Sequence, residues 1–435
     1  MAEERAGTEK EWKRRPRPAI SAVLPDGRLA EMVYDTERGT AFVVGRPDEW
    51  TREEAITSAA GDRLMPYSPR NNLLAHEVVL LPSGPEEYGS EAELVSNIRA
   101  FIHRYVDLSP LFEEVSSYYV LLTWLYDRFN ELPYLRVQGD YGSGKSRFLL
   151  TVGSLCYKPI FASGASTVSP IFRILDAFQG TLIVDEADFR ASDEKAEIVK
   201  ILNNGNARGF PVLRSEILQT KEINPQAFAV FGPKLVATRG PFQDRALESR
   251  CLTEEMGGSR LREDIPLNLP AEHKEEARSL RNKLLLFRLR NYEKPRDLSA
   301  LADRSIEPRL AQIFAPLISV VDDPETRKAI RDLARRYGKD MTAIRGMDLE
   351  AEVLEVVRDL AKEGALLSVK DIAARFAEVH REELDRAVTP KWIGGILRRK
   401  LGLKPEKSHG SFVLPLSEFG KLPRLFEKYG IEESG

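Results

Sequence analysis

A glycine-rich segment in the first half of the chain has residue types and a spacing suited to chemistry. It reads Gly-Asp-Tyr-Gly-Ser-Gly-Lys-Ser and fits the pattern G-x-x-x-x-G-K-[ST] at every fixed position. Glycines let the backbone wrap a phosphate, and the N–H groups of a following helix N-terminus then face the anion. The spacing predicts a phosphate-binding loop made of Gly139, Asp140, Tyr141, Gly142, Ser143, Gly144, Lys145 and Ser146. The alternative is a glycine-rich turn that fits the pattern by chance.

Two side chains of this loop have specific expected roles. Lys145 is expected to reach the β- and γ-phosphates of a nucleoside triphosphate, and Ser146 to ligate Mg²⁺. The flanking sequence supports the assignment, because residues 133–138 (PYLRVQ) predict a strand and residues 146–155 (SRFLLTVGSL) predict a helix. ATP and Mg²⁺ are therefore the predicted ligands.

A pair of carboxylates supplies the second chemical signal. Residues 181–184 (TLIV) form a continuous apolar run, typical of a buried parallel strand, and Asp185 and Glu186 follow directly. The first carboxylate after such a strand can hold Mg²⁺, and the next can polarise the attacking water. Asp185 is therefore assigned to the metal and Glu186 to the general base. A pair of surface acids at a strand end is the alternative.

The order of these motifs resembles that of a known group of ATPases. After the loop and the acidic strand end come a strand that ends in a threonine, residues 234–238 (KLVAT), and then residues 244–250 (DRALESR). Over residues 90–290 the chain is similar to the P-loop ATPases of phages and integrated mobile elements, close to superfamily 3 and minichromosome-maintenance-like helicases. The resemblance is specific for an oligomeric AAA+-type ATPase and less specific for helicase activity. The letters DEAD at residues 185–188 do not imply the RNA helicase family of that nickname.

The resemblance implies further site residues. Thr238 would correspond to the sensor-1 residue of AAA+ ATPases, lying between the carboxylates and the γ-phosphate. Arg250, or else Arg245, would be an arginine finger that reaches the neighbouring subunit's site. A threonine that merely closes a strand and two surface arginines are the alternatives.

The segment before this threonine predicts a hairpin. Extended runs at residues 210–216 and 227–231 flank a polar turn at residues 221–225. In the resembled helicases such a hairpin projects into the central pore, so Lys221, and then Arg214, are the expected contacts to a single nucleic-acid strand. The turn shows no aromatic residue that could stack on bases. An ordinary surface hairpin is the alternative.

The C-terminal segment predicts a winged helix. Three amphipathic helices, whose apolar faces begin at Leu349, Val369 and Trp392, precede two short strands around residues 408–410. The third helix and the wing carry six basic residues against one acid, Glu406, a local charge of +5. These basic residues, which predict phosphate contacts to duplex DNA, are Lys391, Arg398, Arg399, Lys400, Lys404 and Lys407. The alternative is a protein-interaction module with a solvated basic face.

Composition narrows the class of protein. The 435 residues carry a net charge of −3 and are 42% hydrophobic, so cores can form but a global basic field is absent. Cys156 and Cys251 have neither paired nor metal-type spacing, which is typical of a reducing cytosol. The N-terminus has no apolar signal segment, and the longest apolar run, residues 118–126, is too short to span a bilayer. A cytoplasmic protein with no membrane partner is expected.

The succession of predicted elements indicates an α/β fold. We expect a P-loop NTPase core of the AAA+ type with a small β-rich N-terminal domain, a helical lid and a C-terminal winged helix. The expected boundaries are a disordered basic tail at 1–18, the β-rich domain at 19–88, the ATPase domain at 89–275, the lid at 276–340 and the winged helix at 341–435. The tail could instead be a basic arm that touches nucleic acid.

These expectations favour an ATP-driven DNA translocase or helicase of a phage or mobile element. It would act in DNA replication as a homo-oligomeric ring, expected to be a hexamer, with single-stranded DNA in the pore and duplex at the winged helix. The first rival is a DNA-binding ATP switch, such as a replication initiator, helicase loader or transposition regulator. A strand-displacement assay on a forked duplex would distinguish this switch from the translocase. The second is an ATPase that remodels proteins, against which nucleic-acid-stimulated ATPase would argue.

Overall fold

The computed structural model of the chain describes residues 16–163, 166–185, 193–217, 223–242, 244–257, 262–346, 349–362, 367–379, 388–408 and 410–431. The chain divides into two compact units, the first ending at Asp332 and the second beginning at Leu333. Each unit has its own apolar core.

Two small sheets form the N-terminal part of the first unit. Their strands are β1 (Arg17–Ala19), β2 (Ser21–Val23), β3 (Leu29–Asp35), β4 (Gly39–Arg46), β5 (Glu49–Glu53), β6 (Ile56–Thr57) and β7 (Arg63–Pro66). Strands β2 to β5 are antiparallel neighbours in chain order, whereas β1 pairs in parallel with β7. Because β1 pairs with β7, Arg17 and Pro18 are strand residues. The predicted end of the tail at residue 18 is therefore too late in the chain. Residues 1–15 lie outside the described part of the chain.

Helices α1 (Asn72–Ala75), α2 (Glu91–Tyr105) and α3 (Pro110–Thr123) lead from these sheets to the core. The sequence predicts a helix running through residues 118–129, but α3 ends at Thr123 and a short 3₁₀ turn follows at Tyr126–Arg128. The helix stops where tertiary hydrogen bonds hold its end. The Thr123 hydroxyl accepts from the Tyr157 amide at 3.0 Å, and Trp124 Nε1 donates to the Leu155 carbonyl at 2.9 Å.

A parallel five-stranded sheet is the centre of the first unit. It contains β8 (Tyr134–Gln138), β9 (Ile160–Ser163), β10 (Leu182–Asp185), β13 (Lys234–Thr238) and β14 (Cys251–Glu255), in the spatial order β14-β8-β13-β10-β9. Between them run α4 (Lys145–Leu155), α5 (Val168–Phe178), α6 (Asp193–Asn204) and α7 (Arg245–Glu248). The three inner strands are almost wholly buried, as expected of a parallel sheet. The predicted α/β class with a parallel sheet is confirmed.

An antiparallel ribbon precedes β13. Strand β11 (Val212–Ile217) pairs with β12 (Ile223–Phe228), and Ser215 lies opposite Pro225. The predicted hairpin is present, but Asn224 and Pro225 belong to the second strand rather than to the turn. Proline is tolerated there because the ribbon has only two strands and each has one edge without a ladder partner.

The rest of the first unit is helical, as predicted for residues 276–340. Its helices are α8 (Glu272–Asn291), α9 (Leu298–Leu301), α10 (Pro308–Ile318) and α11 (Pro324–Gly346), the last of which continues past Asp332. Helix α8 is tied to the N-terminal sheets, since buried Arg288 donates to Glu31 of β3 at 2.8 Å and pairs with Asp127 at 2.6 Å. Tyr157 also donates to Glu31, at 2.8 Å.

The predicted boundary at 88 therefore does not separate independent cores, and the residues on both sides of 275 belong to one compact unit. Met32 and Phe42 of the N-terminal sheet belong to the same apolar cluster as Tyr134, Ile160 and Val184 of the central sheet. A small sheet can bury one of its faces only by packing it against another layer. Here the central α/β structure is that layer.

The second unit contains α12 (Leu349–Lys362), α13 (Val369–Val379), α14 (Pro390–Arg399), β15 (Glu406–Ser408), β16 (Ser411–Val413), α15 (Leu416–Phe419) and α16 (Leu422–Tyr429). The predicted order of three helices and a hairpin is present, but two helices follow the hairpin where one was predicted. A bridge between Ser368 and Val413 ties the start of α13 to the hairpin, which the sequence did not reveal. No helix in the described ranges of either unit is long and apolar enough to cross a membrane.

Candidate functional site

The glycine-rich loop joins β8 to α4, and its glycines are required by its shape. Gly142 and Gly144 have φ of 75° and 92°, in the left-handed region that residues with a Cβ rarely adopt. At Gly139 an added Cβ would lie 2.3 Å from the Met256 carbonyl oxygen. Glycine is therefore required at Gly142 and Gly144 by the backbone conformation, and at Gly139 by the lack of space for a Cβ.

The Lys145 ammonium lies within the curve of the loop. Its Nζ donates to the carbonyls of Gly139 and Asp140, both at 2.6 Å, and contacts Ser143 Oγ at 3.4 Å. All three of these acceptors are uncharged, so anionic phosphate oxygens would be stronger partners for the same cation. Lys145 is also the first residue of α4, and Ser146 beside it is exposed, so the positive end of the helix dipole points to the same place.

The register of the sheet brings the other predicted residues to this edge. Thr238 lies opposite Gln138, the residue before the loop, and Val236 lies opposite Val184, the residue before Asp185. Because β13 is inserted between β8 and β10, Thr238 lies between the phosphate-binding strand and the acidic strand. The sensor-1 role of Thr238 stays a prediction. Glu186 lies outside the described residues.

The Thr238 hydroxyl is a buried polar group at this edge. The residue is 1% exposed, and its Oγ1 has no hydrogen-bond partner among the described residues. A buried hydroxyl without a partner destabilises a protein by about 1–3 kcal/mol, so native structures rarely keep one without reason. A γ-phosphate oxygen or the water that attacks it is a partner of the right chemistry.

The donor types at this edge fit Mg²⁺ together with a nucleotide. Ser146 offers an exposed hydroxyl and Asp185 a half-buried carboxylate, and Mg²⁺ prefers such oxygen donors. In the described ranges no group of three or more histidine, cysteine or carboxylate side chains could hold a metal by itself.

Arg239 is a residue at this edge that the sequence analysis missed. Its guanidinium stacks 3.9 Å from the ring centre of Tyr141, a loop residue that is 75% exposed. The signal was present in the sequence, because a residue that directly follows Thr238 must lie at the same edge of the sheet.

Arg250 lies at the amino ends of the parallel strands, opposite the carboxyl ends where the glycine-rich loop begins. Its carbonyl accepts from the Tyr134 amide at 2.8 Å, and Cys251 is paired with Tyr134, at the start of β8. Four steps along β8 separate this end from Gln138, a distance of about 13 Å at 3.3 Å per residue. Arg250 is therefore remote from the phosphate-binding loop of its own chain.

Local contacts hold Arg250 in place. Its Nη1 donates to Asn203 Oδ1, and its Nε is buried without a hydrogen-bond partner in the part of the chain that the structure describes. Burial, followed by the neighbouring Arg309 cation, lowers the pKa of Arg250. Arg245, the second candidate, is an exposed residue at the start of α7.

Helix α7 is anchored to the phosphate-binding strand. Arg136, a buried residue of β8, forms a two-pronged ion pair with Glu248 of α7, with Nη1 and Oε2 2.6 Å apart. Arg136 Nε also donates to Thr253 of β14 at 3.0 Å. The segment that carries Arg245 and Arg250 is thus coupled to β8 through a side chain whose role the sequence did not reveal.

Of the two hairpin residues predicted to contact a nucleic-acid strand, the structure describes one, Arg214. Arg214 pairs with Glu197 of α6 at 2.8 Å, and its guanidinium lies 5.3 Å from the Phe172 ring centre. Its charge is therefore already partnered within the chain. Lys221 lies outside the described residues.

The six basic residues of the second unit are all exposed: Lys391, Arg398, Arg399, Lys400, Lys404 and Lys407. Lys391 and Arg398 are seven residues apart and so share one face of α14. Lys400 Nζ is 3.6 Å from a Glu350 carboxylate oxygen, so this cation is partly neutralised. The remaining cations keep a local positive surface on α14 and the hairpin.

Comparisons with known proteins give distant likenesses. The apo structure of the NrS-1 C-terminal region is 14% identical, with a TM-score of 0.36, over 88% of this chain and 95% of that one. Cch, an active helicase of SCCmec type IV, is 11% identical with a TM-score of 0.38, over 95% and 80% of the two chains. JCV helicase is 14% identical with a TM-score of 0.25, over 59% and 64%.

No protein-family model matches the chain, and no curated protein matches it. Because the structural likenesses are this distant, the functional proposal depends on the geometry of the site itself.

Proposed function

We propose that this protein is an ATPase that binds ATP and Mg²⁺ at the carboxyl edge of its parallel sheet. One observation supports the proposal: the loop that curves around Lys145, the buried Thr238 and the acidic Asp185 all lie at the carboxyl ends of neighbouring strands. Separate surface functions would not require a glycine cradle, a helix N-terminus and an acidic strand end to converge.

Each residue has a distinct role in this proposal. Lys145 and the loop amides bind the β- and γ-phosphates, while Ser146 and Asp185 hold Mg²⁺. When bound, Mg²⁺ neutralises charge on the phosphate oxygens. Thr238 orients the γ-phosphate or the attacking water, and Glu186 accepts the proton of that water.

The proposed assembly is a homo-oligomeric AAA+-type ring, with a hexamer as the expected size. Arg250 lies at the edge of the sheet opposite the loop, so it would serve the site of a neighbouring subunit rather than its own. Repeated head-to-tail contacts of this kind generate a closed ring when the rotation between subunits closes. Arg245 is the alternative finger.

The proposed work of this ATPase is DNA translocation or unwinding in the replication of a phage or mobile element. The exposed cations of α14 and its hairpin support binding of duplex phosphates by a winged helix. The β11–β12 hairpin would contact single-stranded DNA in the pore, through Lys221. A helical lid would be formed by the segment after the central sheet.

The rival is a DNA-binding ATP switch that does not unwind DNA. The ion pair between Arg214 and Glu197 favours this rival, because it occupies one of the two cations expected to grip the strand. The translocase requires the hairpin grip, whereas the switch requires only nucleotide-dependent assembly on DNA.

The first test measures ATP hydrolysis with and without single-stranded DNA, and then strand displacement on a forked duplex. Stimulation by DNA together with strand displacement is expected for the translocase. Stimulation without displacement would favour the switch. ATP hydrolysis that no DNA stimulates would move the proposal to protein remodelling.

A second prediction concerns the basic surface. The double substitution Arg398→Ala and Arg399→Ala should weaken duplex binding for all sequences, because phosphate contacts carry no sequence information. The slope of log affinity against log salt should fall by about one per lost contact. ATP hydrolysis without DNA should stay near normal. Affinity would be measured at several salt concentrations.

The matched control is Arg424→Ala with Lys428→Ala, two exposed cations of α16, which removes the same charge from a different element. An equal loss in both double variants would indicate a general charge effect. An unchanged slope in the Arg398 and Arg399 variant would favour the protein-interaction alternative.

A further inference from the structure

The hairpin of the second unit carries a half-exposed aromatic ring. Phe412 of β16 is 50% exposed, whereas the next two residues, Val413 and Leu414, are 8% and 4% exposed. Among the exposed large apolar residues in the described part of this unit, Phe412 is the aromatic one; the others are Val379 and Leu416. Leaving a phenylalanine half exposed forgoes about 1 kcal/mol or more of burial energy, which contact with a ligand at this position would recover.

Two cations lie close to this ring. The Arg398 guanidinium lies 5.9 Å from its centre, and Lys407 is its direct partner across the hairpin. Arg399 follows Arg398 at the exposed end of α14. An apolar protein partner would have to bury these charges, whereas a nucleic acid presents phosphates beside flat apolar bases and satisfies both groups.

The base must also be accessible. In a continuous duplex both faces of each base are covered by stacking, but the first unpaired base beside a duplex end has a free face. The Arg398 guanidinium lies over the Phe412 ring, so it can hold the phosphate next to a base that stacks on this ring.

We propose that Phe412 stacks on an unpaired base at a junction between single-stranded and double-stranded DNA, while Arg398, Arg399 and Lys407 hold nearby phosphates. The second unit then prefers a fork to an uninterrupted duplex. This inference rests on the proposed DNA binding of that unit, and it adds a substrate structure and a stacking residue.

The test uses the full-length chain without nucleotide and three DNA probes of equal length: a blunt duplex, a forked duplex and a single strand. The fork carries a fluorescent aminopurine as its first unpaired base. Phe412→Ala should lose roughly 10-fold in affinity for the fork, within the range measured for one base–aromatic stack, and keep its affinity for the blunt duplex. Stacking on Phe412 should change the aminopurine emission in the wild type and not in this variant.

Two more substitutions distinguish an effect of base stacking from an effect on folding and from an effect of hydrophobicity alone. Phe412→Trp should retain the fork preference because it retains a flat ring, whereas Phe412→Leu should lose it although its side chain stays apolar. Leu416→Ala is the control, since this residue is 81% exposed in the same unit and lacks a ring. An equal effect of Phe412→Ala on fork and blunt duplex, or no effect on either, would overturn the junction proposal.

The outcomes also distinguish failure of the stacking role of Phe412 from failure of the proposed DNA binding. A wild-type chain that binds none of the three probes would remove the proposed DNA binding and this inference together. A wild-type chain that binds all three, with Phe412→Ala unchanged, would overturn the role of Phe412 alone.

Discussion

Replacing Lys145 by alanine is expected to lower nucleotide affinity at least about 100-fold, which corresponds to losing one or two charge-assisted hydrogen bonds of about 1.5–3 kcal/mol each. The physical reason is that the Lys145 ammonium lies inside the curve of the loop, within 2.6 Å of two of its carbonyl oxygens. Without this cation, the loop would face a triphosphate with backbone dipoles alone. Titration with a fluorescent ATP analogue would measure the change.

Lys274→Ala is a suitable control for this substitution. Lys274 is 70% exposed in the same unit and pairs with the surface residue Glu77, so its loss should leave nucleotide binding unchanged. Unchanged affinity in the Lys145 variant would mean that the loop binds no phosphate, and the ATPase proposal would fall with it.

Mixing two inactive variants should restore ATP hydrolysis. Arg250→Ala alone is expected to lower turnover at least about 100-fold if this residue neutralises transition-state charge, since arginine fingers contribute 10³–10⁵. A subunit with Arg250→Ala keeps its loop, and a subunit with Lys145→Ala keeps its arginine. In equal random mixtures about one quarter of interfaces would combine the intact loop with the intact arginine, whatever the ring size.

The measurement is steady-state ATP hydrolysis in rings that native mass spectrometry shows to be mixed. Asn203→Ala is the structural control, because it removes the hydrogen-bond partner of Arg250 and leaves the cation. Normal turnover in this control together with recovery on mixing supports a role across the interface. Mixed rings without recovery would place Arg250 among the structural residues of its own subunit.

Part of the candidate site could be predicted from the sequence. The glycine-rich loop between a strand and a helix was predictable because its requirements are local: positive φ at Gly142 and Gly144 restricts those positions to glycine, and the adjoining strand and helix have clear apolar patterns. The predicted ends of β10 and β13 were likewise close, since continuous apolar runs identify buried parallel strands. The functional roles assigned to these residues remain predictions.

Contacts between distant segments were not predictable in the same way. The ion pair of Arg136 with Glu248 joins residues 112 apart, and the Glu31–Arg288 pair joins residues 257 apart. No periodicity in the sequence indicates which charged residues will be buried together. For this reason the predicted domain boundary at 88 did not correspond to separate cores.

The sequence by itself determined the glycine-rich loop between a strand and a helix, the approximate positions of the central strands, and that the C-terminal segment forms three helices and a hairpin. These properties depend on backbone conformation and on apolar periods within short windows. Only the tertiary structure decided the order of the strands, and with it the position of Thr238 beside the loop and of Arg250 at the opposite edge. Strand order follows from how all the helices and strands pack together, and that information is spread over the whole chain.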